Sequence, residues 1–130
     1  GALLLSSLAN SLAEAFSREM HLRVQREFWG YNPASPGGKG GIRPAFGYPA
    51  CPDHGDKRLA FALLGAPERC GFGLTDSAMI IPGASVCGMY LAHPASRYFG
   101  AGFIGDDQLA GWAGRKGIGR DEARKRIGRV

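Results

Sequence analysis

The residues most open to a chemical reading lie between 43 and 54, Arg43-Pro44-Ala45-Phe46-Gly47-Tyr48-Pro49-Ala50-Cys51-Pro52-Asp53-His54. The prolines pre-set φ and Gly47 permits a turn or a close backbone approach, so Arg43 and Tyr48 stand on a stiff ribbon rather than a floppy loop. A guanidinium is a planar fork matched to a carboxylate or a phosphate, and a tyrosine adds a ring face and a hydroxyl. Stiffness with that pair of groups suits a binding site. The plainer reading is a surface arginine beside a proline-rich turn.

Other groups promise less. Cys51 and His54 have a C-x2-H spacing that offers two metal ligands, with His93 and Cys70 as remote partners, but no second local pair completes a site. A buried thiol beside a helix-start histidine explains the same spacing. Gly71-Phe72-Gly73 lacks the strand and helix that would make it a phosphate loop, and no Ser-His-Asp arrangement is visible. His93, before Pro94, reads as a turn residue, and His21 reads as solvated on the polar side of a long helix beside Arg18 and Gln25.

The elements that must position the ribbon follow from periodicity. Leu5, Leu8, Leu12, Phe16, Met20, Val24 and Phe28 recur at spacings of three and four, which predicts a helix over residues 2–28 that stops at Gly30. Glu14 with Arg18, and Glu19 with Arg23, are expected as i,i+4 pairs on its wet side. Residues 32–41 read as a glycine-rich loop, and Pro44, Pro49 and Pro52 bar residues 42–52 from a central strand, leaving an ordered irregular segment. Asp53 or Asp56 is expected to cap a short helix closed by Gly65 and Pro67. Residues 77–81, 86–93 and 97–104 read as a three-stranded antiparallel meander, with a type II turn at Pro82-Gly83. Asp106 or Asp107 then caps a helix broken by Gly117 to Gly119, and Asp121 starts a last basic helix. The expected class is α+β: a long N-terminal helix and shorter helices packed on a twisted antiparallel sheet.

With 130 residues, 45% hydrophobic and 21% charged, the chain has the composition of one globular domain, which excludes disordered and collagen-like classes. No apolar run approaches the roughly 18 residues that a membrane span needs. A cytosolic protein with reduced thiols at Cys51, Cys70 and Cys87 is expected, and a start at Gly1 suggests a piece of something larger. Residues 115–130 hold seven basic residues against Asp121 and Glu122, which accounts for the entire net charge of +5. Such a patch suits an acidic partner, an anionic surface or nucleic acid, or is simply a solvated helix.

The string RPAFGYPACPDH, then IIPGASVCGMYLAHPASRYF, then GDDQLAGWAGRKG resembles the C-terminal activation domain of cobalamin-dependent methionine synthase. That family carries an RxxxGY signature, an aromatic-rich WPGASVSGWYFSHP strand pair and a YARRKG helix. Leu12-Ala13-Glu14-Ala15-Phe16 and Trp29-Gly30-Tyr31 match it as well, so the resemblance covers nearly the whole chain, 1–130.

The resemblance implies a domain that binds S-adenosylmethionine and swings over the corrin of a cobalamin held by another domain. It does so when the cofactor has fallen to the inactive cob(II)alamin state, and an electron from flavodoxin or an equivalent reductase together with the methyl group restores methylcobalamin. The whole enzyme is a methyltransferase, whereas the isolated chain is not expected to be catalytic by itself. By the same resemblance Arg43 holds the ligand carboxylate, Ala45, Gly47 and Tyr48 complete that wall of the pocket, and Tyr90 and Leu91 take the places of the family's Tyr-Phe contacts. Glu14 matches an acidic position on the long helix that lies near the sulfonium or the corrin; a helix pair with Arg18 is its plainer role. An aromatic face suits a sulfonium cation.

Departures are visible. Leu91 replaces Phe and Met89 replaces Trp, the acidic residue before the Arg motif is Gly37 or a neighbour, and the family's upstream segment with an Asp for the ligand amino group is not in this chain. A truncated, stand-alone relative acting as an interaction or basic-patch module without ligand is the alternative; nucleic-acid binding is disfavoured because no aromatics interleave the basic residues.

Overall fold

The structure, a computed structural model, describes residues 1–29, 40–100 and 102–127. Gly30, Tyr31, Gly37, Arg129 and all but the end of the glycine loop read over 32–41 lie outside the described residues.

Helix α1 spans Ala2–Arg23 and continues through one π-helical stretch, Val24–Phe28, matching the predicted extent. Its apolar stripe is not what it buries: Leu5, Leu8, Leu12 and Phe16 are between 55% and 69% exposed. The half-buried face instead carries Ala13, Ser17, His21 and, toward the end, Met20 and Val24. Ala13, Ser17 and His21 lie one residue round the helix from the stripe, a rotation of about 100°, whereas Met20 and Val24 are members of the stripe itself that become half-buried at its C-terminal end. The i,i+4 pairing also shifts. Arg23 pairs with Glu27 at 3.1 Å and Arg26 with Glu19 at 3.4 Å.

The expected three-stranded meander is replaced by a different pairing. Residues 86–91 run antiparallel not to their sequence neighbours but to the proline-bearing segment 42–46, with bridges Ile42 to Leu91 and Ala45 to Gly88. Ile42 and Leu91 exchange both backbone bonds, at 3.1 and 2.9 Å, and Phe46 N–H donates to the Cys87 carbonyl at 3.3 Å. Pro44 has no N–H to give, but its carbonyl accepts from Met89 N–H at 2.9 Å. The missing donor interrupts the ladder without preventing the association. The regular sheet is small: β1 (Gly73–Leu74) pairs antiparallel with β2 (Ile80–Ile81) around a turn in which Thr75 and Met79 bond. Residues 77–79, expected as strand, form that turn, and no regular strand occurs among the described residues 97–104. The Ile81–Pro82 peptide bond is cis.

Helix α2 (Asp56–Leu64) ends at Gly65 with φ 58°, as its sequence predicts. Pro67 does not stop the chain there; it sits in the first turn of a further short helix, α3 (Ala66–Cys70). Helix α4 (Asp106–Lys116) starts at Gly105, whose N–H donates to Gln108 Oε1 at 3.0 Å, so neither Asp106 nor Asp107 is the cap. It packs on α5 (Arg120–Ile127) through Leu109, Ala113 and Ala123, with Ile104, Trp112, Ile118 and Ile127 around them.

A single carboxylate fastens this helical pair to the ribbon. Asp53 is 2% exposed, and its Oδ1 accepts from Gly55 N–H at 2.7 Å. Its Oδ2 faces Lys116 at 3.5 Å and Arg126 at 3.9 Å. Lys116 also grips Asp56. Burial works against the charge on Lys116, but the Asp56 bond and the Asp56 and Asp53 charges outweigh it and hold the ammonium above its ordinary range. Without Asp53, Lys116 keeps Asp56 and Arg126 keeps Glu122, so what is lost is the link to the ribbon and the buried bond to Gly55 N–H. Asp53→Ala is therefore expected to cost about 1–2 kcal/mol, read as a lower urea midpoint at unchanged slope. A midpoint equal to the parent's would show that α4 and α5 dock without this anchor.

Candidate functional site

The site grows out of the paired segments. At Gly88 the backbones approach so closely that an added Cβ would collide with the Pro44 carbonyl and the Ala45 Cα, so only glycine lets the two segments meet here. Past Ala45 the ribbon reverses. Tyr48 N–H donates to the Ala45 carbonyl at 3.3 Å, Gly47 N–H to the Cys51 carbonyl at 2.7 Å, and Cys51 N–H to the Tyr48 carbonyl at 2.7 Å. Gly47 has φ 93°, which explains the glycine of the RxxxGY string.

Arg43 leaves this ribbon toward α1. Its Nη2 donates to Glu14 Oε1 at 2.9 Å and its Nη1 to Ser17 Oγ at 2.5 Å, while its backbone N–H donates to the Tyr98 hydroxyl at 3.0 Å. Glu14 thus reaches across to Arg43 instead of pairing with Arg18. Arg43 is 23% exposed against 64% for Glu14, so the pair lies at the floor and lip of a cleft. That cleft is an open groove of about 990 Å³ lined by Asn10, Ser11, Glu14, Arg18, Glu19 and Arg43, among others.

Beside it stands an aromatic cluster. His21 stacks on Tyr90 with ring centroids 5.4 Å apart and meets the edge of Trp29 at 5.8 Å; Trp29 and Tyr90 are 6.3 Å apart, edge to face. The solvated His21 expected from the helix pattern is thereby corrected: the side that looks polar is the side that packs. His21 Nε2 is buried without a hydrogen-bond partner among the described residues. Burial, and then the Arg43 guanidinium, holds the imidazole below its ordinary range, so it is neutral at neutral pH.

The structure brings Arg43 and Glu14 into contact and sets Ala45, Tyr90 and Leu91 along the paired segments behind them. Of the expected site residues only Arg43 and Glu14 line the groove; Ala45, Gly47, Tyr48, Tyr90 and Leu91 do not, and the Tyr48 side chain is 66% exposed on the reverse turn. Ser17, His21 and Tyr98 were not anticipated. Ser17 is three residues from Glu14 on one helix face, a signal usable once Glu14 is placed, whereas Tyr98 has no local signal at all. Among the described residues no group of three acidic, histidine or cysteine side chains is arranged to hold a metal. Cys51, Cys70 and Cys87 are free; Cys70 is exposed, and burial pushes the Cys51 and Cys87 thiols up, away from reactivity.

The His21 environment sets a direction for pH dependence. A histidine held below its unfolded value of 6.5 binds its proton more readily when unfolded, so its stabilising share is present above 6.5 and is lost as pH falls beneath it. Thermal melts from neutral to mildly acidic pH are expected to show a falling midpoint, and His21→Phe, which keeps a ring against Tyr90, is expected to remove part of that fall. Parallel curves for parent and variant would assign the acid sensitivity elsewhere.

Residues 1–117 match the family described as "Vitamin B12 dependent methionine synthase, activation domain". Among solved structures, the chain is similar to the "MetH Reactivation Domain bound to AdoHcy", with a TM-score of 0.84 and 40% sequence identity. That match covers 94% of this chain and 40% of the solved chain, so the chain spans well under half the length of that protein. The long helix, the shorter helices and the small antiparallel sheet are the fold of that domain. With a family match over 117 residues and the RxxxGY ribbon folded as described, the chain belongs to the activation-domain family of vitamin B12-dependent methionine synthase.

Proposed function

We propose that this chain binds S-adenosylmethionine and presents it for the reductive remethylation of cobalamin, as one part of a cobalamin-dependent methionine synthase. The observation that carries the reading is the Arg43–Glu14 pair at 2.9 Å in an open groove beside Tyr90 and Trp29. A free α-amino acid end carries one carboxylate and one ammonium, and a guanidinium next to a carboxylate is its electrostatic complement. A related reactivation domain has been solved with AdoHcy, the thioether left when the methyl donor has given up its methyl group.

In this reading Arg43 takes the ligand carboxylate and Glu14 faces its positive end. Ala45, Gly47 and Tyr48 form the ribbon along one side, and Tyr90 and Leu91 the wall behind it. The ligand supplies an electrophilic methyl on a sulfonium, and cobalamin, held by another domain, supplies the nucleophilic cobalt. This chain's share is to bind and orient, and no side chain of its own needs to act as nucleophile. The cobalamin-binding domain of the same enzyme is the first partner, and flavodoxin or an equivalent reductase the second. The basic C-terminal region is a smaller docking surface than its composition suggests, since Arg124 pairs with Asp106, Arg126 with Glu122, and Lys116 with Asp56. Arg115, Arg120 and Lys125 remain free of ion pairs among the described residues. No described helix is long and apolar enough to cross a membrane.

Calorimetric titration with S-adenosylmethionine and with S-adenosylhomocysteine tests the reading. Saturable binding is expected, and Arg43→Ala should weaken it by roughly 10- to 100-fold, the value of a charged hydrogen bond to a carboxylate. Circular dichroism confirms that the variant is folded. Absence of binding by the folded parent chain would favour the alternative, an interaction module without ligand.

A further inference from the structure

The RxxxGY turn rests on a second pair of residues that the ligand reading does not use. A Cβ built on Gly47 would collide with the His54 ring at Cε1, Nε2 and Nδ1, so the imidazole occupies the space that any other residue at 47 would fill. His54 Nδ1 lies 2.8 Å from Lys57 Nζ, and that same ammonium donates to the Ala78 carbonyl at 3.1 Å. Ala78 is the non-glycine residue with positive φ, 60°, among the described residues. Lys57 therefore ties α2, the β1–β2 turn and the back of the Gly47 turn together. It is 5% exposed and has no carboxylate partner among the described residues. An ammonium donates and cannot accept, so the 2.8 Å contact exists only while His54 Nδ1 carries a lone pair, with its proton on Nε2.

We infer that His54 and Lys57 are a positioning pair that holds the Gly47–Tyr48 turn in its ligand-competent shape, and that protonation of His54 releases the turn. A protonated His54 would turn an N–H toward the Lys57 ammonium, replacing a hydrogen bond by the apposition of two cations. Lys57 is buried and fixed by the Ala78 carbonyl, whereas His54 is exposed on its outer side. The ring is thus the partner that swings away, and it leaves Gly47 unsupported. The charged and titratable groups facing this pair are few. Asp53, in the ribbon, favours the protonated imidazole but is shared with Lys116 of α4 and Arg126 of α5. Cys87, from the paired segment, faces Lys57. Burial first, and the Lys57 charge second, hold His54 below 6.5 and outweigh Asp53.

The consequence for binding rests on the ligand reading above, while the pairing itself does not, and the experiment separates the two. In the ligand-free chain, NMR titration of the His54 ring should give a midpoint below 6.5, and the Gly47 and Tyr48 amide resonances should move with that midpoint. Lys57→Met should raise the midpoint by removing the opposing cation. Calorimetry with S-adenosylhomocysteine should show the dissociation constant rising about fivefold from about pH 7.5 to about pH 5.5. His54→Gln should bind more weakly at the higher pH but with the pH ratio flattened, because its amide does not titrate. Gly47 and Tyr48 amides indifferent to the His54 titration, or a midpoint unchanged in Lys57→Met, would overturn the inference whether or not ligand binds. A parent chain that shows the NMR coupling but binds no nucleoside at either pH would count against the proposed function alone.

Discussion

The candidate site depends on one close contact, the meeting of residues 42–46 with 87–91 at Gly88. Without side-chain bulk at that position the Pro44 carbonyl comes within reach of Met89 N–H at 2.9 Å, and the two segments fix each other. One segment carries Arg43 and Ala45 and leads into the turn of Gly47 and Tyr48; the other carries Tyr90 and Leu91. A proline that removes a donor and a glycine that removes a Cβ would each weaken an ordinary strand. Here they are complementary, because proline keeps its acceptor and glycine opens the space through which that acceptor is approached. The resulting association is irregular, which is why it carries isolated bridges instead of a continuous ladder.

This explains what the amino-acid sequence disclosed and what it withheld. Helices were legible because their signals are local: the spacing from Leu5 to Phe28 marked α1, and Gly65 and Gly117 marked the ends of α2 and α4. The sheet was misread because strand propensity in 86–93 says that a segment is extended but not which segment it will meet. The partner lies more than forty residues upstream, behind prolines that argue against pairing when only donors are counted. The nature of the ribbon at 43–54 is legible from residue type and from family likeness, which implies a ligand carboxylate for Arg43. That Arg43 bonds Glu14 of the chain itself, with Ser17 and Tyr98 completing the arginine's bonding, follows from how α1 crosses the ribbon.

Helix α1 shows the limit most clearly. Periodicity identifies an apolar face, and in an isolated globular domain that face would be the buried one. Here the covered face bears Ser17 and His21, which serve the Arg43 guanidinium and the Tyr90 ring, while Leu5, Leu8, Leu12 and Phe16 point elsewhere. A helix with a polar task on one side and an apolar stripe on another has two jobs, and sequence reading merged them. His21 was assigned to water for that reason, although its ring is clasped between Tyr90 and Trp29.

The pairing of Arg43 with Glu14 also bears on how a zwitterionic ligand would be held. Each group already satisfies the other at 2.9 Å, so a ligand carboxylate and ammonium would exchange one set of charged contacts for another. Such an exchange adds less net electrostatic energy than a bond made to unpaired groups, although losing Arg43 altogether would leave the ligand carboxylate in the groove without its donor. The exchange does impose direction: the carboxylate must go to the arginine and the positive end to the glutamate, since the reverse placement sets like charges together. Affinity must then come mainly from what the charges do not supply, the apolar and aromatic surface of Tyr90 and Leu91 and the rigidity of the ribbon. A wall with Met89 and Leu91, softer than one of tryptophan and phenylalanine, places more of that burden on rigidity. That in turn gives weight to the contacts behind Gly47 and to the Asp53 anchor, because a ribbon held from both ends loses less freedom on binding than one held at a single point.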